Sequence, residues 1–194
     1  MKKSFPNPVY LGLVHGPVQN KRGEEVTTSV TNLDIHDISR SSKTFGLSRY
    51  FIITPVKAQH QLLERILGHW ESEVATQYNP DRQEALGLVG LVDTVDQAKE
   101  FIKSETKLPP LVVVTGAKIE NFQGDSPELW DLAQKTGRPL LILFGTGWGL
   151  AKSIVESADF RLRPIYGRSP DGYNHLSVRS AVAIYLDRLA RPFN

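Results

Sequence analysis

The chain has 194 residues, 23 basic and 21 acidic, with a formal charge of +2, a hydrophobic fraction of 40 % and no cysteine. That length suits one well-buried domain and is short for two, and near-neutrality confines any nucleic-acid footprint to local patches. The lack of cysteine removes disulfides, thiolate nucleophiles and sulfur-ligated zinc, and favours a reducing compartment.

Met1-Lys2-Lys3 begins like a signal peptide, but the apolar stretch behind it, Val9 to Val14, is interrupted by Gly12 and is too short. No other run approaches the roughly 20 apolar residues of a membrane span, so a cytoplasmic protein with no membrane partner is expected. The first strand is predicted at 8–14 (PVYLGLV). Residues 16–25 (GPVQNKRGEE) read as a solvated loop, with an RNA-facing flap as the functional alternative. A helix then opens the stretch 32–55, burying Ile38, Phe45 and Leu33 and leaving Arg40 off the apolar stripe beside Ser41, Ser42 and Lys43. An arginine so placed is either an ordinary surface charge or, through its planar fork, an anion site.

A strand follows at 50–54, and Thr54-Pro55 reads as N-cap and N1 of a helix striped with Leu62, Leu63, Ile66, Leu67 and Trp70. Further strands are predicted at 87–92, 111–115, 140–144 and 160–165. Between them, Thr94 to Gln97 fits a capping box for a helix burying Val95, Ala98, Phe101 and Ile102. Ser126-Pro127-Glu128 opens another helix that Gly137 closes. The last helix runs from about His175 to Leu189, with Val178, Ala181, Val182, Tyr185 and Leu189 on one face. Strands apolar throughout, alternating with helices, predict an α/β fold: a single domain with a mostly parallel sheet and helices on both faces.

The run LILFGTGWGLAKSI, residues 141–154, places Gly145, Gly147 and Gly149 between a strand and a helix, where bare backbone can approach a ligand. It is not a Walker loop, because Lys152-Ser153 follows Ala151 and the earlier glycine position holds Thr146. Nor is it a Rossmann fingerprint, since the pattern is G-x-G-x-G, arrives in the last third of the chain and lacks the acidic partner; a dehydrogenase is disfavoured. The five histidines, His15, His36, His60, His69 and His175, show no metal-ligand spacing, so no metal is expected. Ser169 lies outside any G-x-S-x-G nucleophile elbow.

Three stretches together resemble the SPOUT superfamily of S-adenosylmethionine-dependent RNA methyltransferases. D-I-H-D-I-S-R-S-S-K-T-F-G stands where the ribose enzymes carry N-x-x-A-I-x-R-T-A-x-x-F-G, with Arg40 and Phe45-Gly46 in register. L-F-G-T-G-W-G-L resembles their second motif. P-I-Y-G followed by N-H-L-S-V-R-S-A-V-A-I-Y-L resembles the third, I-P-M-x-G and S-L-N-V-S with a small-residue helix. The likeness is greatest to a small bacterial group of predicted RNA methyltransferases related to the C-terminal extension of some tRNA (guanine-N1) methyltransferases.

The resemblance implies one SPOUT-like domain over residues 1–194 with a C-terminal trefoil knot at about 110–190, and a homodimer with both active sites at the interface. It implies S-adenosylmethionine held by Thr115, Gly116, Phe144, Gly145, Thr146, Gly147, Trp148, Gly149, Ile165, Tyr166, Gly167, Tyr173, Asn174, His175 and Leu176. The substrate is then tRNA or rRNA, with Arg40 catalytic and Lys43, Arg49, Lys118, Arg168 and Arg179 as phosphate contacts, each also readable as a solvated charge. A ribose 2′-hydroxyl target rests on Arg40; a base nitrogen needs a carboxylate, from Asp37, Glu120 or Asp171. Departures are Asp34 for the motif Asn, Gly147 for a Glu in the glycine loop, and His175 and Ser177 for the Ser and Asn of S-L-N-V-S. They leave a catalytically inactive RNA-binding module of the same fold as the second reading.

Overall fold

Strands without polar residues need cover on both faces, and the central strands have it. In the computed structural model, which describes residues 5–70, 77 and 79–193, six strands form one parallel sheet. They are β1 (Val9–Val14), β4 (Arg49–Ile53), β5 (Val89–Val92), β6 (Leu111–Val114), β7 (Leu140–Gly145) and β8 (Phe160–Arg161), in the order β5-β4-β1-β7-β6-β8. The segment Met1-Lys2-Lys3 lies outside the described residues. The helices are α1 (Asn32–Thr44), α2 (Lys57–Trp70), α3 (Pro80–Leu86), α4 (Val95–Thr106), α5 (Ser126–Thr136), α6 (Lys152–Glu156) and α7 (Val178–Ala190).

Alternation along β1 divides the core into two layers. Val9, Leu11 and Leu13 pack with Ile35 and Ile38 of α1, Leu63 of α2, Leu129 and Trp130 of α5, and Val182 and Leu186 of α7. Tyr10 and Val14 face the other way, toward Ala98 and Ile102 of α4 and the partly buried Ile154 and Val155 of α6. The α/β sheet with helices on both faces is therefore the observed architecture. Caps were placed by local chemistry: the Thr94 hydroxyl accepts from the Gln97 amide at 3.2 Å, and Gly137 ends α5 at φ 69. Asp125, with Glu128 as its box partner, is the N-cap that Ser126-Pro127 follows.

Several boundaries differ from expectation for identifiable reasons. The 16–25 stretch contains half of a short antiparallel hairpin, β2 (Val18–Gln19) with β3 (Glu25–Val26). Leu33 is 60 % exposed, because it lies about 200° around α1 from Ile35 and so away from the Ile35-Ile38 stripe. Helix α2 starts at Lys57, two residues beyond Pro55, and of its expected stripe Leu63 is fully buried while Leu62 is 53 % exposed. Helix α3 is additional to the predicted elements and starts at Asn79-Pro80, where the Asn79 side chain accepts from the Arg82 amide at 3.1 Å.

β8 is only two residues long, yet the chain beyond it stays hydrogen-bonded on both sides. Leu162 N donates to Val114 O at 3.0 Å, while Gln123 N donates to Arg161 O and Arg163 N to Gly124 O, both at 2.9 Å. Residues 161–163 thus lie between β6 and the 123–124 stretch of the same connection that leaves β6.

Candidate cofactor and RNA site

Because the six strands are parallel, their carboxyl ends share one edge, where open α/β sheets place their ligands. The glycine loop leaves β7 there and is strapped to the hairpin. Thr146 Oγ1 donates to Val14 O at 3.1 Å and lies 2.5 Å from Thr28 Oγ1; Trp148 N donates to Gln19 O at 3.1 Å, and Gln19 N to Gly149 O at 2.9 Å. The amides of Thr146, Trp148 and Gly149 are all spent inside the protein. Glycine is needed here for close approach of backbone to backbone: a Cβ on Gly145 would stand 2.5 Å from Leu150 N. Gly147 has φ +60, and its Cβ would stand 3.2 Å from Gln19 O. At Gly149, φ +114, a Cβ would meet nothing within 4 Å, so one side of the loop presents bare backbone.

The third-motif loop is closed by one side chain. Asn174 Oδ1 accepts from Gly167 N and its Nδ2 donates to Ile165 O, both at 2.9 Å, while a Cβ on Gly167 would stand 2.9 Å from Tyr173 O. Tyr185 of α7 ties this loop to β7, since its hydroxyl donates to Arg163 O at 2.9 Å and its ring packs edge-on against Phe144 at 5.9 Å. Lys118 reaches over the Trp148 ring at 4.7 Å, joining the loop after β6 to the glycine loop.

Four large apolar side chains on these loops, Trp148, Tyr166, Tyr173 and Leu176, are between 43 % and 65 % exposed. Flat exposed rings beside bare backbone fit a ligand with a heterocycle and a polar tail, which S-adenosylmethionine is. Two expected contacts have other work: Phe144 is 2 % exposed in the core, and both the amide and hydroxyl of Thr115 donate to Leu143 O. Next to Tyr173, His175 lies with its ring 6.4 Å away and tilted.

Arg179 answers one departure from the family pattern with another. It stands at the last Ser of S-L-N-V-S, and its Nη1 lies 2.8 Å from Asp34 Oδ1 and its Nε 3.5 Å from Asp37 Oδ2. Asp34, which replaces the motif Asn, is 7 % exposed and also accepts from Thr31 Oγ1 at 2.6 Å. The helices of the first and third motifs are pinned together by this pair. Arg179→Ala would leave a buried carboxylate short of a partner. We expect a loss of about 2 kcal/mol, below the ~3–5 kcal/mol of a fully buried pair because Arg179 is 30 % exposed. In an Asp34→Asn background the loss should be at least about 1 kcal/mol smaller, read from urea unfolding; additive losses would show the pair to be energetically idle.

His15, fully buried just after β1, has Nδ1 3.1 Å from Thr28 Oγ1 and no partner for Nε2 among the described residues. Burial lowers its pKa to about 4, against a weaker opposing pull from Asp34. The unfolded chain binds this proton near pH 6.5 and the fold does not, so stability should fall as pH drops from about 6.5 toward 4, by up to about 3 kcal/mol. Denaturant melts at pH 7.5 and 4.5 should show that slope, and His15→Gln should flatten it; an unchanged slope in the variant would assign it to other groups.

Among the other predicted residues, the structure separates some from this edge. Arg49 opens β4 at the amino-terminal edge, 4.8 Å over Phe101, and is not brought to the site. Lys43 is bound to Glu84 at 2.6 Å, whereas Arg168 is exposed on the third-motif loop. Asp171 is held below the usual carboxylate range by the Ser169 hydroxyl and then by the Tyr173 amide, which makes it a loop cap. Arg40 is exposed and makes no hydrogen bond or ion pair among the described residues. It lines a groove of α1, α2 and α3 to which no residue of the 115–119, 145–150 or 165–176 loops contributes. Among the described residues there is no group of three His, Asp or Glu able to hold a metal, and no helix long and apolar enough to cross a membrane.

Comparison with known proteins agrees with this geometry. Residues 8–191 match the family described as SAM-dependent RNA methyltransferase. The chain is 48 % identical over 181 residues to a tRNA (guanine-N(1)-)-methyltransferase of Oleidesulfovibrio alaskensis, covering 93 % of this chain and 41 % of that protein. It therefore spans about two-fifths of that relative's length. An uncharacterised protein of Aquifex aeolicus is 39 % identical over 181 residues, with 93 % of this chain and 87 % of its own length covered. Among solved structures, the SpoU methyltransferase AviRb of Streptomyces viridochromogenes, in complex with AdoMet, superposes with a TM-score of 0.56 at 14 % identity, over 96 % of this chain and 58 % of that one. At that identity the likeness is one of fold.

Proposed function

The chain belongs to the SAM-dependent RNA methyltransferase family, and from that premise we propose that it methylates a ribose 2′-hydroxyl of tRNA or rRNA. The observation that carries the reading is that the glycine loop and the Asn174-closed loop follow the carboxyl ends of β7 and β8, the two strands that flank β6. Trp148, Tyr166, Tyr173 and Leu176 would flank the cofactor's apolar parts, with the backbone of Gly149 and of residues 165–167 meeting its polar groups. When bound, S-adenosylmethionine supplies a sulfonium methyl, so the chain's own task is to align the acceptor and take its proton. Arg40 would hold the adjoining phosphate or polarise the hydroxyl. A ribose target is favoured because Asp37 faces Arg179 and Asp171 caps its own loop, leaving Glu120 as the exposed candidate base for a ring nitrogen. The inactive RNA-binding reading finds no support in the comparisons.

The 161–163 segment held between β6 and residues 123–124 supports the knot. Arg40 shares its groove with no knot-loop residue, and on this reading a second copy brings the two together. Light scattering at micromolar concentration should return twice the 21.7 kDa chain mass; the mass of one chain would remove the dimer. The activity is tested by mass spectrometry of nucleosides from total RNA with and without the gene. Loss of a 2′-O-methylated nucleoside is expected. Loss of a base-methylated one moves the target to a ring nitrogen, and no change defeats the reading.

A further inference from the structure

Helices α1, α2 and α3 enclose an open groove of about 850 Å³ that the cofactor loops do not use. Its walls include Leu33 and Leu62, 60 % and 53 % exposed, which core packing leaves unexplained. At one end stands Trp70, with the Arg82 guanidinium 5.0 Å from its ring centre and the His36 ring edge-on at 5.6 Å. Arg40 and Arg65 also line the groove, and neither makes an ion pair among the described residues. Among the described residues the lining holds one carboxylate, Asp37, and that one faces Arg179. His36 Nδ1 and Arg82 Nε are buried with no hydrogen-bond partner among the described residues. Burial first, then the charge of Arg82, disfavour a protonated His36, against the opposing pull of Asp37.

We propose that this groove binds the single-stranded RNA flanking the methylated nucleotide, stacking a base on the Trp70 end and holding phosphates with Arg40 and Arg65. The inference rests on the RNA methyltransferase reading. An aromatic plate with apolar walls and unpaired arginines matches the two needs of single-stranded nucleic acid, stacking and phosphate neutralisation. An apolar protein segment would leave the Arg40 and Arg65 guanidinium groups and two buried polar atoms unanswered. The volume falls within the ~300–1,000 Å³ of small-ligand sites, suited to a nucleotide and too small for a duplex. Direction follows from charge. Past Arg40 and Arg82 the surface turns acidic at Asp81 and Glu84, with Lys43 already bound to Glu84, so the strand runs from Arg40 toward Arg65.

The experiment is fluorescence anisotropy of the whole chain with a short mixed-sequence single-stranded RNA over a salt series, beside calorimetry with S-adenosylmethionine and sedimentation of each variant. Arg65→Glu should weaken RNA binding about tenfold or more and reduce the salt slope by about 0.7 or more, because a phosphate contact is lost. Trp70→Ala should weaken it about 5- to 100-fold, with Trp70→Phe recovering part of the loss. Cofactor affinity should stay at the wild-type value in all three. RNA binding by the variants as tight as wild type, or a wild-type preference for duplex RNA, overturns the groove while leaving the methyltransferase reading intact. Variants that change the oligomeric state without weakening RNA binding assign the groove to a second copy and also overturn it. A wild-type chain that binds neither cofactor nor RNA defeats the underlying reading instead.

Discussion

Arg40→Ala should lower methyl transfer by about 10²- to 10³-fold while leaving fold and cofactor affinity intact, the scale of losing one well-aimed charged donor. Arg40 is exposed and its guanidinium makes no ion pair among the described residues, so its removal strands no buried charge; surface changes of this kind cost within about 0.5 kcal/mol. The nearest carboxylate in sequence, Asp37, is engaged by Arg179 and does not hold Arg40 in place. Arg40→Lys should fail almost as badly, because a point charge does not reproduce the bidentate fork. The measurement is transfer of a radiolabelled methyl to the RNA found by nucleoside comparison, with cofactor calorimetry on the same variants. Full activity in Arg40→Ala would pass the role to a carboxylate, whereas loss of cofactor binding or of the fold would make Arg40 structural.

Gly147→Val should destabilise the chain by about 2–4 kcal/mol and abolish binding of S-adenosylmethionine. Two costs combine. A β-branched residue at φ +60 is strained by about 1–3 kcal/mol, and its Cβ would press on Gln19 O at 3.2 Å and on Thr28 Cγ2 at 3.4 Å. The Trp148–Gln19 and Gln19–Gly149 hydrogen bonds that strap the glycine loop to the hairpin lie on either side of this contact. Gly147→Ala keeps the strain with a smaller side chain and should lie between wild type and valine. Thermal melts and calorimetric titration settle it: a valine variant with wild-type melting and binding would show that the strapped loop does not hold the cofactor.

The glycine loop shows both the reach and the limit of reading residues in order. Its place at a strand end, and its failure to complete a Walker or Rossmann pattern, were visible in LILFGTGWGL. That the Trp148 amide is taken by the hairpin was not, because Gln19 and Trp148 are 129 positions apart. Arg40 was similarly legible as a residue off its helix's stripe, while the groove it borders depends on how far α2 sits from α1. Leu62 has the spacing of a core residue, and its half-exposed position depends on that same helix placement.

Strands, caps and the α/β class were determined by the sequence itself, because apolar runs, side-chain caps such as Thr94 and the αL position of Gly137 act within a turn or two of chain. The strand order β5-β4-β1-β7-β6-β8 was decided only by the tertiary structure, as was the passage of 161–163 between β6 and residues 123–124. So was the meeting of Asp34 with Arg179 across 145 positions. Such contacts leave no periodic trace, since they depend on which faces bury against each other and which loops close, and that balance is struck over the whole chain at once.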